Sequence, residues 1–374
     1  MTASNSLIYL DNAATSFPKP QRVINAVQDC ICHYCGNPGR SGHRLSILSA
    51  ERVYECRELL SLFLDYPYPE RISFTQNATA ALNIAIKGLI PDGAHCIISD
   101  IEHNSVLRPL HKLKMEKAVS YDVFDSSRPL NDIEALIRPD TKYLIFSILS
   151  NVTGFKLDIN ELSKIASRNE LGLIIDASQY VGHYNLSLSG LTFDAICMPG
   201  HKALMGIQGS GVLVLGDKRC NTLTEGGSGS DSFSPEMPIL PPERYEAGTL
   251  STPAIASLLA GVGFIMDYGI HSISKRLDLL TDRLRDMLSC VPQIKLYACE
   301  SGIAAFSLDG IPSESAVALL DSYGICVRGG IHCAPLIHNK MKTNKTGLVR
   351  ASLSLFNKES DIDRLYSALR AIVK

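Results

Sequence analysis

His103, Asp176 and Lys202 each follow an apolar run, and together they carry the first chemical signal in this chain. The run Ala195 to Met198 stops at Pro199-Gly200 and delivers His201-Lys202. It then passes through a glycine-spaced turn to Gly211 and a second apolar run, Val212 to Leu215. That order reads as strand, loop and strand. A lysine at the end of a buried strand, in a pocket that lowers its pKa, is a nucleophile able to form a Schiff base with an aldehyde cofactor. Upstream, Leu171 to Asp176 is a buried strand that ends in a carboxylate and continues into Ala177-Ser178-Gln179. A carboxylate so placed can pair with a protonated pyridine nitrogen, the pairing that makes pyridoxal phosphate an electron sink. Ile101-Glu102-His103 brings an imidazole to a strand-to-helix junction, where it can stack on the flat face of such a ring.

Other stretches supply the remaining chemistry. The helix expected from Gln76 to Ile86 begins with Asn77-Ala78-Thr79, whose first-turn amides make a phosphate cradle. Asn77 and Thr79 are also ordinary helix-capping types, and one helix start can do both. Asn37 to His43 is a loop by its glycines and proline, with Arg40, His43 and Arg44 available to an anionic group. Near the C-terminus, Cys333 lies in a loop bounded by glycine, histidine and proline, so its thiol is expected to be accessible, unlike Cys96, Cys197 and Cys326 in their apolar segments.

The elements that must position these groups alternate. Strands are expected at His95 to Ser99, Tyr121 to Phe124, Lys142 to Ser147 and Leu173 to Asp176, with helical patterns at Ile133 to Ile137 and Ile159 to Arg168. This is the pattern of a parallel α/β sheet with crossover helices, in which ligands sit beyond the carboxyl ends of the strands. Asp176, Asn151 and Lys202 fall at such ends. From Pro253 one long helical pattern runs through Asp267 and past Lys275.

Length and composition set bounds. A chain of 374 residues exceeds what one core usually fills, so two domains are expected. A net charge of −2 and 20% charged residues give no basic surplus for nucleic acid. No stretch has the length of a membrane span, and the N-terminus lacks the features of a signal peptide, so a cytoplasmic protein is expected. The cysteines, 11 in all, are odd in number and scattered, which suits reduced thiols. Cys30-Ile31-Cys32-His33-Tyr34-Cys35 has no second pair to complete a four-ligand set, so it reads as part of one amphipathic helix from Gln21 to Tyr34 and no metal site is expected.

The order of strand-end Asp176, Gln179, His201-Lys202 and upstream His103 resembles the class V aminotransferase family of pyridoxal phosphate enzymes, in particular the cysteine desulfurases. Tyr9-Leu-Asp-Asn-Ala-Ala-Thr15 is similar to the opening of that family, Glu246-Ala-Gly-Thr249 to its "EAGT" segment, and Arg328-Gly-Gly-Ile-His-Cys-Ala334 with Val349-Arg-Ala-Ser352 to the signature of the type II, selenocysteine lyase-like members. The resemblance implies an α/β fold of the fold-type I pyridoxal phosphate transferases. It implies a large cofactor-binding domain, 18–258, with a mainly parallel seven-stranded sheet, and a smaller α+β domain from 1–17 and 259–374.

It further implies roles. Lys202 holds pyridoxal 5'-phosphate and shuttles protons, Asp176 pairs with the ring nitrogen and His103 stacks. Asn151 reaches the phenolic oxygen, Gln179 also meets the cofactor, and Asn77, Ala78, Thr79 and His201 meet the phosphate. Thr249 reaches the cofactor of the neighbouring subunit in a homodimer. Arg350 clamps the substrate carboxylate, with Asn151, Ala13 and Arg328 nearby. Cys333 takes sulfur from L-cysteine, leaving L-alanine, and passes it to an acceptor protein. L-Selenocysteine lyase is the nearest rival, and an aminotransferase or lyase with an incidental Cys333 a more distant one. Two departures stand out: Pro199 replaces a frequent phosphate-binding serine, and Ile331 a frequent second histidine, which is expected to make the pocket more apolar.

Overall fold

The computed structural model describes residues 7–39, 41–230 and 232–373, so Arg40 lies outside the described residues. Its strands are β1 (Ile8–Tyr9), β2 (Ile72–Thr75), β3 (His95–Ser99), β4 (Ser120–Phe124), β5 (Thr141–Ser147), β6 (Gly172–Asp176), β7 (Ala195–Pro199), β8 (Gly211–Leu215), β9 (Ile294–Glu300), β10 (Ile303–Leu308), β11 (Ile325–Cys326) and β12 (Val349–Ser352). The helices are α1 (Gln21–Asp29), α2 (Arg44–Phe63), α3 (Ala78–Leu89), α4 (Asn104–Lys117), α5 (Ile159–Arg168), α6 (Thr252–Tyr268), α7 (Ile270–Ser289), α8 (Ser313–Ser322), α9 (Pro335–Lys340) and α10 (Glu359–Ile372).

Seven strands form one sheet in the order β2-β8-β7-β6-β5-β3-β4, parallel except for β8, which runs antiparallel to both β2 and β7. The expected mainly parallel seven-stranded sheet is therefore present. Its inner strands are apolar on both faces, as burial between two helix layers demands. Leu173 and Ile175 pack with residues of α2, α5 and α6 on one side, while Ile174 packs with residues of α3 and α4 on the other. The period of two thus splits each strand between two cores.

A three-stranded antiparallel sheet, β12-β10-β9, forms the core of the C-terminal part, and β1 pairs in parallel with β11. Ile8 and Leu10 pack in the same apolar cluster as Phe306, Val349 and Leu365, which ties the start of the chain to its end. The junction expected between residues 258 and 259 falls inside α6, where Leu258, Val262 and Ile265 all pack into the core of the large sheet. The long helical pattern past Lys275 is two helices, broken at Gly269 and bent by 80°. Gly269 has φ of +87°, a left-handed conformation that a side chain resists, so the apolar periodicity runs across a corner that the backbone makes.

Smaller differences have local causes. The helix from Gln21 widens into a π-helical turn from Cys30 to Tyr34. Ile133 to Ile137 belongs to a 3₁₀ segment, Leu130–Leu136. Cys326 is half-buried because β11 is a short edge strand, whereas Cys96 and Cys197 are fully buried as expected. No helix among the described residues is by itself long and apolar enough to cross a membrane.

Candidate active site

A cavity of about 210 Å³ opens beyond the carboxyl ends of β3, β5, β6 and β7, where an open parallel sheet places its ligands. Ala13, Asn77, Ala78, Thr79, His103 and Asn151 line it. Asp176, Gln179, Pro199, His201, Lys202, Arg328, His332 and Arg350 complete the wall relevant to chemistry. The groups read from distant parts of the sequence thus converge on one space.

Each is held by its element. Asp176 ends β6 and accepts the Ser178 amide at Oδ1, 2.9 Å, leaving Oδ2 for a ligand. Lys202 follows β7, and loss of water around its amine lowers its pKa to about 8, against the pull of Asp176 and with help from Arg350 and Arg328. A lysine so shifted is uncharged in a useful fraction of molecules near neutral pH. Asn77 caps α3, its Oδ1 accepting from Ala80 N at 2.9 Å, so the amides of Ala78 and Thr79 at the helix start stay open to an anion. A side chain at Gly211 would lie 2.5 Å from the Asn77 backbone, and glycine there lets β8 press against this turn.

His103 caps α4 through Nδ1, which accepts from Ser105 N at 3.1 Å. The neutral ring therefore carries its proton on Nε2. Burial lowers its pKa, with Asp176 opposing and Lys202 assisting. Burial also lowers His201 to about 4. Gln179 is fixed by a 2.9 Å bond from Nε2 to the Ala13 carbonyl, and the Ala13 amide bonds Ser352 Oγ at 2.9 Å.

Arg350 is the bulkiest fully buried side chain among the described residues, 1% exposed. Its Nη1 donates to Asn151 O at 2.9 Å and Nη2 to Asp11 Oδ1 at 2.6 Å. The free fork expected for a substrate carboxylate is thus partly committed, because Asp11 neutralises the buried cation. Nε of Arg350 and Oδ1 of Asn151 are buried without a protein partner, two polar atoms at the cavity with capacity to spare.

Cys333 does not line the cavity, although Arg328 and His332 do. It is half-buried, on a turn where His332 and Cys333 have φ of +53° and +58°. The turn is tied to the large sheet by Asn104 N donating to Cys333 O, 2.7 Å, and Asn151 Nδ2 donating to His332 O, 2.8 Å. Thr249 lies instead in a separate hollow of about 440 Å³ with Phe74, Thr75 and Gln76. Ile331 faces neither, but another hollow with Tyr297 and Lys345, so it does not make the cavity more apolar. His43 caps α2, and neither it nor Arg44 lines the cavity.

Reading the sequence missed Glu102. Its carboxyl is fully buried, accepts from Ser99 Oγ, from Ser147 N at 2.8 Å and from Ser147 Oγ at 2.7 Å, and burial raises its pKa to about 7. The signal was an acid directly before His103, a few residues past the apolar run Ile97-Ile98. Asp11 was missed as well, since nothing local marks it as the counter-ion of a residue 339 positions away.

Fold and site define an aminotransferase-type enzyme, and the chain belongs to the class-V aminotransferase family, which it matches over residues 8–365. Within that family its relatives include proteins named cysteine desulfurase. It is 30% identical to a probable cysteine desulfurase of Pyrococcus abyssi, over 99% of this chain and 95% of that one. Among solved structures it is similar to the apo structure of a cysteine desulfurase from Thermococcus onnurineus NA1, with a TM-score of 0.91, 27% identity, and coverage of 99% of this chain and 95% of that one. It is also similar to the cysteine desulfurase CsdA, in its S-sulfonic acid form, from Escherichia coli, with a TM-score of 0.89, 26% identity and the same coverage of both chains. The family implies pyridoxal phosphate, and the cavity suits it: a desolvated lysine, a strand-end carboxylate, an open helix start and two unpartnered polar atoms meet there.

Proposed function

We propose that this protein is a pyridoxal phosphate-dependent cysteine desulfurase, converting L-cysteine to L-alanine and carrying the sulfur as a persulfide on Cys333. The observation that carries the reading is the convergence of Lys202, Asp176, His103, Asn151 and Arg350 on one cavity, with the turn bearing Cys333 bonded to its rim. Bound pyridoxal phosphate supplies a sink for the electrons released at the substrate carbon. Lys202 would hold the cofactor covalently and, once displaced, move a proton at the substrate Cα. Asp176 Oδ2 would keep the ring nitrogen protonated, His103 would stack on the ring, and Asn151 and Gln179 would orient it. Asn77, Ala78, Thr79 and His201 would take the phosphate, with His201 compensating for Pro199. Arg350, turned by Asp11, and Arg328 would hold the substrate carboxylate beside Ala13.

The Cys333 thiolate would attack the substrate sulfur. The sulfur–carbon bond breaks with its electrons going to carbon, protons return there to give alanine, and Cys333 keeps the transferred sulfur as a persulfide. A protein acceptor would then take that sulfur. The position of Thr249 away from its own chain's cavity supports a homodimer in which it reaches the partner's cofactor. Incubation with L-cysteine and with L-selenocysteine, measuring alanine with sulfide or selenide, tests the reading. Alanine from L-cysteine is expected, alanine from L-selenocysteine alone would make the protein a selenocysteine lyase, and alanine from neither would overturn both.

A further inference from the structure

His332 and Cys333 are consecutive non-glycine residues in the left-handed region, a conformation that persists only where the surroundings hold it. Asn104 and Asn151 hold the turn from the large sheet. From the other side it meets a buried chain of three side chains. His332 Nε2 lies 3.3 Å from the Arg328 carbonyl, His332 Nδ1 lies 3.4 Å from His338 Nε2, and His338 Nδ1 lies 2.8 Å from Thr343 Oγ1. The two rings are 5.6 Å apart and nearly parallel, at 23°.

Only one arrangement of protons satisfies every link with both rings neutral. A carbonyl can only accept, so His332 carries its proton on Nε2. Its Nδ1 must then accept, which puts the His338 proton on Nε2. His338 Nδ1 must accept in turn, and the donor is the Thr343 hydroxyl. Both imidazoles are held neutral by burial, His332 near 3, so the chain runs in a single direction from Thr343 to the Arg328 carbonyl. His338 and Thr343 are both buried, and neither lines the cavity.

We propose that Thr343 and His338 are positioning residues for Cys333: by fixing the place of His332, whose tautomer the Arg328 carbonyl sets, they hold the left-handed turn from which the thiol acts. This rests on the reading of Cys333 as the sulfur acceptor. Without the Thr343 hydroxyl, His338 Nδ1 is a buried acceptor with no donor, so the His338 ring is no longer held from behind and His332 Nδ1 loses a fixed partner. The turn then relaxes toward ordinary backbone conformations and Cys333 loses its alignment, while Lys202 and Asp176, which the chain of side chains does not touch, keep their places.

The test compares Thr343→Val, which keeps the shape and removes the donor, with Thr343→Ser, which keeps the donor. In the holoenzyme, Thr343→Val is expected to lower kcat for alanine formation about five- to tenfold, with KM within about twofold of the parent. Thr343→Ser should recover most of the loss. A second readout needs no turnover: the rate at which iodoacetamide alkylates the Cys333 peptide, followed by mass spectrometry, should rise severalfold in the valine variant and stay near the parent in the serine variant. Parent-like kcat and alkylation in Thr343→Val, or a serine variant as impaired as the valine one, would overturn the proposal. Should Thr343→Val fail to fold, His338→Gln, which can still donate to His332 Nδ1, against His338→Leu, which cannot, carries the same comparison. If the parent makes no alanine from cysteine, the desulfurase reading fails, and the alkylation rates alone decide whether the chain holds the turn.

Discussion

Asp176 and the strand leading to Lys202 belong to neighbouring parallel strands, β6 and β7, whose ladders continue on both sides through the sheet. Cys333 stands on a two-residue left-handed turn outside any strand or helix, held by hydrogen bonds to Asn104, to Asn151 and through His332 to a buried histidine pair. The first region is rigid because its backbone is shared with a core, whereas the second is placed by a few side chains. Groups that must grip a cofactor through every turnover gain from the first arrangement. A residue with the role proposed for Cys333, approaching a substrate and then giving up sulfur, would gain from the second, since local openings draw on the least stable contacts.

Removing Lys202 should give the largest effect, because among the described residues it is the one lysine that lines the cavity. Lys202→Ala is expected to lower alanine formation by at least the roughly 10²–10⁴-fold typical of a positioned proton carrier. It should also abolish borohydride fixation of the cofactor, checked by absorbance and mass. Fixation on another lysine would dissolve the contrast, since the gripping residue would then lie off the strand end.

Arg350→Ala should come next. The guanidinium is buried against Asp11, so its loss removes the proposed substrate contact and strands a carboxylate. Truncating one member of such a pair costs about 2–5 kcal/mol, equivalent to more than a tenfold rise in KM for cysteine. Arg350→Lys should recover little, because a point charge cannot span Asp11, Asn151 and a substrate at once. Steady-state kinetics with an unchanged cofactor spectrum is the check.

Glu102 sharpens the comparison from within the sheet. Its folded pKa, about 7, lies above the ordinary carboxyl value of 4.5. Between those values the unfolded chain has released the proton and the folded chain keeps it, so stability falls as pH rises across that window. Glu102→Gln should remove this slope. The thermal midpoint of the variant is expected to fall less than that of the parent between pH 5 and pH 8, and parallel pH profiles would contradict the assignment.

The smallest effect belongs to the clasp that anchors α9 behind Cys333. Lys340 donates to Asp100 at 2.6 Å and also pairs with Asp125. Lys340 holds the Asp125 carboxyl down to about 2, below its usual 3.8, so this stabilisation is present above about pH 4 and is lost as pH falls through 2. The pair is half exposed, and Lys340→Met is expected to cost less than about 1 kcal/mol by urea unfolding at pH 7.

How much was legible in the sequence follows the same division. Asp176 could be read because an apolar run announces a strand and the next polar residue marks its end, and Lys202 and His103 because they follow within a few residues of such an end. The parallel sheet and the phosphate-type start of α3 followed from the same local grammar. The partners of Arg350 and Cys333 could not be read, because Asp11, Asn104, Asn151 and Thr343 acquire their roles through contacts that no local spacing encodes. Gly269 shows the opposite failure: a helical period persisted through a corner, since both helices bury one face against adjoining cores and only the backbone records the turn.

The measurement that tests the central claim most directly is the mass of the Cys333 peptide after the holoenzyme meets L-cysteine, in the parent and in Cys333→Ala. The expected result is an added sulfur atom on Cys333 in the parent. In the variant, alanine formation should be lost while the absorbance of the bound cofactor and its response to cysteine stay as in the parent. Undiminished alanine formation in Cys333→Ala would contradict it, and the cavity would then belong to a lyase that needs no thiol of its own.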